Sequence, residues 1–150
     1  DLLERHWGRL GPDALEADAA TLGERLARTS RGVKCALLDQ GVVAGLGNIY
    51  ADEALFRAGL HPARPGASLD RPAVERLTGA IHAVLRGAIE TGGSTLRDYR
   101  HPDGTPGTAQ RGHAVYGRAG HGCVRCGEAL ASAAIAQRTT VWCDRCQPAA

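Results

Sequence analysis

The sequence predicts a mainly α fold with a small β module at its C-terminal end. Two observations carry that expectation. Apolar residues recur at three- and four-residue steps from Asp70 to Glu90, and two Cys-x2-Cys pairs lie among short β-prone runs after residue 114. At 150 residues, 43% hydrophobic and 23% charged, the chain has room for one modest core and one small appendage.

From Gly11 to Leu60, short helical stretches are punctuated by glycine. Thr29 or Ser30 is expected to cap a helix through Val33, Leu37 and Leu38, and Asn48 to open another running to Arg57. Gln40 to Gly47 reads as the tight glycine-rich turn between them. Cys35, beside Ala36 and Leu37, is expected as a buried core thiol. In the 70–90 helix Val74, Leu77, Ile81, Val84, Leu85, Ala88 and Ile89 share one face, with Pro72 in the first turn and Gly92-Gly93 at the end. Gly, Pro, Thr, Arg and His then dominate through Gly112 without a period, which reads as a connector. Ala114-Val115-Tyr116 and Thr139-Thr140-Val141-Trp142 are the β-prone runs that flank the cysteines.

Composition narrows the class. No apolar run approaches the roughly 20 residues of a membrane helix. Asp1 to Arg9 is too charged for a signal peptide, so a soluble intracellular protein is expected. The chain starts at Asp1 and contains no Met, so it reads as a piece of a longer protein. Net charge is only +2, but from Arg97 onward seven arginines face four acids, a basic bias that by itself indicates no more than a solvated surface.

Cys123, Cys126, Cys143 and Cys146 form two Cys-x2-Cys pairs with 16 residues between them. That falls within the roughly 15 to 20 residues of a four-thiolate zinc site. Each pair turns two sulfurs onto one tetrahedral ion, and a hairpin returns the second pair; Gly127 suits the turn after the first. Two disulfides would need a secretory context, and a redox pair usually occurs once, near a βαβ unit. One structural Zn2+ is therefore expected, because four protein ligands leave no position for substrate or water. Gly45-Leu46-Gly47-Asn48 leads directly into a helix, whose outward N–H groups and dipole suit a phosphate.

Lys34 to Gln40, Val43 to Leu55 and Ala58 to Pro62 resemble the helix-two-turn-helix segment of formamidopyrimidine-DNA glycosylases and their endonuclease VIII relatives. Gly92 to Tyr99, Val115 to Arg118 and Ala136 to Gln147 resemble the same family in order. The resemblance implies a helical DNA-binding domain over 1–96, a connector carrying a lesion loop over 97–114, and a zinc finger over 115–150. It implies that Lys34, Asn48 and Arg138 grip phosphates around a damaged nucleotide, with the backbone at Gly47 and the side chain of Tyr116 assisting. It further gives Arg138 the role of proton donor in δ-elimination. Lys34 is the single lysine among 18 basic residues. In the lesion loop, Asp103 to Gly107 follows the family pattern, but Thr108-Ala109 stands where an aromatic pair is usual.

The implied activity of the parent protein is that of a bifunctional DNA glycosylase and AP lyase of base excision repair, removing oxidised purines such as formamidopyrimidine and 8-oxoguanine, or oxidised pyrimidines. The family nucleophile is an N-terminal proline amine followed by glutamate on a preceding β-rich domain. Asp1 and Leu2 stand at the start here, so this chain is not expected to act alone. The implied partner is double-stranded damaged DNA, bound by a monomer in the bacterial cytoplasm at the nucleoid, away from any membrane. The competing reading is a stand-alone zinc-ribbon module that binds nucleic acid without catalysis.

Overall fold

In the computed structural model, residues 10–91 and 112–149 are described; they contain four α-helices and one two-stranded antiparallel sheet. The expectations for Asp1–Arg9, for Gly92-Gly93 and for the 97–111 stretch of the connector lie outside the described residues. Among the described residues, no helix is long and apolar enough to cross a membrane.

Helix α1 (Ala19–Leu26) starts where the Asp18 carboxylate accepts the Thr21 N–H at 2.8 Å, and it buries Leu22 and Leu26. Helix α2 (Val33–Leu38) starts differently from expectation: Gly32 is its N-cap and neither Thr29 nor Ser30 caps it. The Val33 and Lys34 N–H groups donate instead to the carbonyls of Arg64 and Pro62, so a loop distant in sequence satisfies the helix start. A side chain at Gly32 would meet Ala63 Cα and Pro62 O at 3.2 Å, so that close approach favours glycine. Cys35 is half-buried on the outer side of α2, a correction to the core thiol expected, while Val33, Lys34, Ala36 and Leu37 face inward.

Helix α3 (Asn48–Ala58) begins as predicted at Asn48, with Gly47 as N-cap, and ends at left-handed Gly59. Helix α4 (Arg71–Glu90) has Pro72 in its first turn and Asp70 accepting the Ala73 N–H at 2.9 Å. Its apolar stripe is covered only as far as Ile81; Val84 and Leu85 are half-buried and Ile89 is 68% exposed. The core joins Leu22, Leu26, Val33, Leu37, Leu55, Leu77 and Ile81, and alanines at 51, 54, 73 and 80 let α3 and α4 pack closely.

Strand β1 (Ala131–Ile135) pairs with β2 (Arg138–Trp142), with Ile135 opposite Arg138 and Ala131 opposite Trp142. The two-residue turn holds Ala136 (φ 53°) and Gln137 (φ 62°) in the left-handed region, as a tight hairpin demands. Thr139 to Trp142 are thus strand, as predicted. Ala114 to Tyr116 are not: their N–H groups turn to a carboxylate of α3 rather than to a sheet partner. A second cluster, of Val115, Leu130, Val141, Cys123 and Cys143, borrows Phe56 from α3. A full burial contributes roughly 1.5–3 kcal/mol per large aliphatic side chain, so a cluster this small depends on its metal.

Candidate metal centre and nucleic-acid interface

The ligand atoms of Cys123, Cys126, Cys143 and Cys146 all lie within 4.8 Å of one another. Zn–S bonds of about 2.3 Å set tetrahedral sulfurs about 3.8 Å apart. The Cys123–Cys146 and Cys126–Cys143 separations are 3.8 and 3.5 Å, so the donor set and its spacing fit that ion. The Arg125 and Cys146 N–H groups donate to the sulfurs of Cys123 and Cys143 at 3.4 Å, and Gly127 makes the turn at φ 81°, a conformation open to glycine without strain. Burial, followed by the neighbouring sulfurs, pushes the Cys146 thiol up to about 12. Burial also acts upward on Cys123, but the N–H groups of Cys126 and Arg125 bring it down to about 7. A divalent cation resolves that crowding by holding all four as thiolates. The finger carries one structural zinc.

The finger is joined to the helical part along the whole length of α3. At the start of the helix, Asn48 Nδ2 donates to the Thr139 carbonyl at 3.1 Å. One turn on, Asp52 Oδ2 accepts the Val141 N–H at 3.1 Å, and Glu53 accepts three N–H groups, from Ala114, Val115 and Tyr116. At the far end, Arg125 donates to the carbonyls of Phe56 and Arg57 and lies 4.5 Å over the Phe56 ring, a cation at a helix C-terminus. Beyond it, buried Gln147 donates to Leu60 O and accepts from Cys143 N–H, both at 2.9 Å. Sequence reasoning missed Asp52, Glu53, Arg125 and Gln147. A signal for the first two was present: adjacent acids between Ala51 and Ala54, in a helix otherwise apolar around them.

Asn48 reaches the residue next to Arg138. Arg138 is exposed at the first position of β2, and the next residue, Thr139, is the one that Asn48 holds. Gly47 is exposed with open space around it, beside helix N–H groups that have no intrahelical acceptors. Tyr116 is 39% exposed, with its ring edge-on to His113 at 5.4 Å. Asn48 Oδ1 is buried and receives no hydrogen bond.

Lys34 lies elsewhere than a surface grip would. It is 0% exposed; its ammonium is 2.7 Å from Asp52 Oδ1 and donates to Thr140 Oγ1 at 2.6 Å and Thr139 O at 3.2 Å. Burial lowers the Lys34 value against the pull of Asp52, and nearby Arg138 lowers it further. Burial likewise raises Asp52 above 3.8, against Lys34 and the Val141 N–H. Burial opposes the pairing on both partners, and the contacts of the Lys34 ammonium with Asp52, Thr139 and Thr140 tie α2 and α3 to β2.

Residues 10–100 match the formamidopyrimidine-DNA glycosylase H2TH domain, and residues 120–149 match the zinc finger found in FPG and IleRS. The formamidopyrimidine-DNA glycosylase of Alkalilimnicola ehrlichii is 49% identical over 150 residues, covering 96% of this chain and 53% of that protein. The one from Thermomicrobium roseum is 50% identical over 148 residues, with 97% and 51% covered. Among solved structures, the MutM (Fpg) protein of Thermus thermophilus superposes with a TM-score of 0.83 at 48% identity, covering 93% of this chain and 54% of that one. The Lactococcus lactis Fpg in complex with abasic-site DNA gives 0.86 at 35% identity, with 98% and 55% covered. The chain spans about half the length of the curated relatives it matches.

Proposed function

Because this chain belongs to the formamidopyrimidine-DNA glycosylase family, we propose that it is the part that holds damaged duplex DNA for a bifunctional glycosylase and AP lyase acting on oxidised bases. The single observation that carries this reading is the meeting of the α3 N-terminus with the hairpin: Asn48 bonds the residue next to exposed Arg138. A helix N-terminus, an amide and a planar guanidinium on one edge are complementary to consecutive phosphates. Relatives in this family are solved with abasic-site and Fapy-dG DNA, which supports the same partner here.

In this reading residues 1–96 are the helical DNA-binding domain, 97–114 the connector and 115–150 the finger. Asn48, Gly47 and Arg138 contact phosphate, Tyr116 assists, and Lys34 acts from beneath by pinning Thr139 and Thr140. Arg138 also donates the proton in δ-elimination. Family chemistry attacks C1′ of an extruded nucleotide to form a Schiff base and then nicks the strand. That activity belongs to the whole protein. The protein is proposed to work as a monomer at the bacterial nucleoid.

Fluorescence anisotropy with a labelled duplex carrying an abasic-site analogue tests the assignment. Binding is expected to weaken steeply with salt. Asn48→Ala and Arg138→Ala are each expected to weaken it by roughly 1–3 kcal/mol, the worth of a charge-assisted hydrogen bond. Unchanged affinity in both variants, or salt-independent binding, refutes the assignment.

A further inference from the structure

We infer that Glu53 is a positioning residue for Tyr116, acting on DNA binding through the backbone of the 114–116 turn. The inference rests on the proposed phosphate-binding role of Tyr116. Glu53 sits mid-way along α3 and is 8% exposed. Its Oε1 accepts the Ala114 N–H at 2.7 Å, and its Oε2 accepts those of Val115 and Tyr116 at 2.9 Å each. Among the described residues none of its partners is a cation at ion-pair distance. The three N–H groups of this turn offset the desolvation of its charge.

The turn has no sheet ladder to fall back on. From its other side, Arg118 donates to Ala114 O at 2.7 Å and Gly122 O at 2.9 Å, while Val115 is fully buried below. Tyr116 is left half-exposed at the end of this clamp, so the path of its backbone, and with it the ring, follows the Glu53 carboxylate. Three consecutive donors require an acceptor-only group. Glutamine retains one oxygen and turns an NH2 toward at least one N–H. Because Asn48 and Asp52 on the same helix hold β2, α3 is one ruler that sets both the Arg138 and the Tyr116 arms.

A double-mutant cycle on DNA affinity tests this, using Tyr116→Ala, Glu53→Gln and the pair, with zinc content and unfolding midpoint measured alongside. Each single change is expected to weaken binding about tenfold, and the pair no further than the weaker single, since both remove the same contact. In 1H–15N spectra the amide protons of residues 114–116 are expected to move upfield in Glu53→Gln, as charge-assisted bonds are lost. Losses that multiply in the pair overturn the inference, as does unchanged affinity in Tyr116→Ala; in either case salt-dependent binding by the parent chain leaves the proposed function standing. Absence of DNA binding by the parent chain overturns both. Should Glu53→Gln not fold, Glu53→Asp, which keeps the charge but reaches fewer N–H groups, is expected to give an intermediate loss and the same non-additivity in the cycle.

Discussion

Helices α3 and α4 lie against each other yet bury themselves by different rules. Helix α4 covers one stripe, Ala73, Val74, Leu77, Thr78, Ala80 and Ile81, and leaves its other side to water. Helix α3 is covered nearly all round, and its buried residues include Asp52 and Glu53 beside Ala51, Ala54 and Leu55. One helix is held by apolar area, which is non-directional; the other also by polar groups that each demand a partner at a set distance. Directional contacts therefore fix where the finger sits, while apolar area dominates in the helical core.

Metal removal separates the two helices most sharply. Structural zinc supplies apparent stabilisation on the order of 10–16 kcal/mol in finger peptides. Elemental analysis is expected to give one zinc per chain. Chelation is expected to unfold residues 112–149 and accelerate amide exchange in α3, whose carboxylates lose their partners, while α4 stays protected. Equal acceleration in both helices contradicts the difference drawn between them.

Next in size is Asp52→Ala, which strands Lys34 as an unpaired buried cation and is expected to cost about 3–5 kcal/mol in urea unfolding. Replacing both partners, as Lys34→Met with Asp52→Leu, is expected to cost less than Asp52→Ala, because no charge is left unpaired and only the Val141 N–H loses its acceptor. The pH dependence has a definite sign. Asp52 has a raised value in the folded chain, so its contribution to stability is present below its unfolded value and is lost as pH rises through the folded one. Asp52→Asn is expected to flatten the fall in stability as pH rises above the ordinary carboxylate value of 3.8. An unchanged slope there disproves the raised Asp52 value.

The smallest effect belongs to α4. Asp70→Ala removes its N-cap and is expected to lower stability by about 1 kcal/mol, with zinc content and DNA affinity unaffected. A change in either transfers part of α3's role to α4.

Much of this was legible in one dimension. The α4 stripe, the Asn48 helix start and the four-thiolate site all follow from spacing along the chain, and the hairpin arginine follows from the family resemblance. The exceptions share a cause. Gly32 replaces a side-chain cap because the 62–65 loop supplies the acceptors. Ala114 to Tyr116 leave the sheet because Glu53, 61 residues and more away, outcompetes a strand partner for their N–H groups. Lys34 goes inside because Asp52, Thr139 and Thr140 converge on it.

Alone, the order of residues determined the α3 and α4 helices and where the metal is held, since each is set by neighbours within a few turns or by a fixed ligand spacing. Only the tertiary structure decided which charges are buried and what they hold. The free energy of a buried lysine or carboxylate is settled by desolvation against whatever partner arrives through space, and the hydroxyl partner of Lys34 lies 106 residues further along the chain.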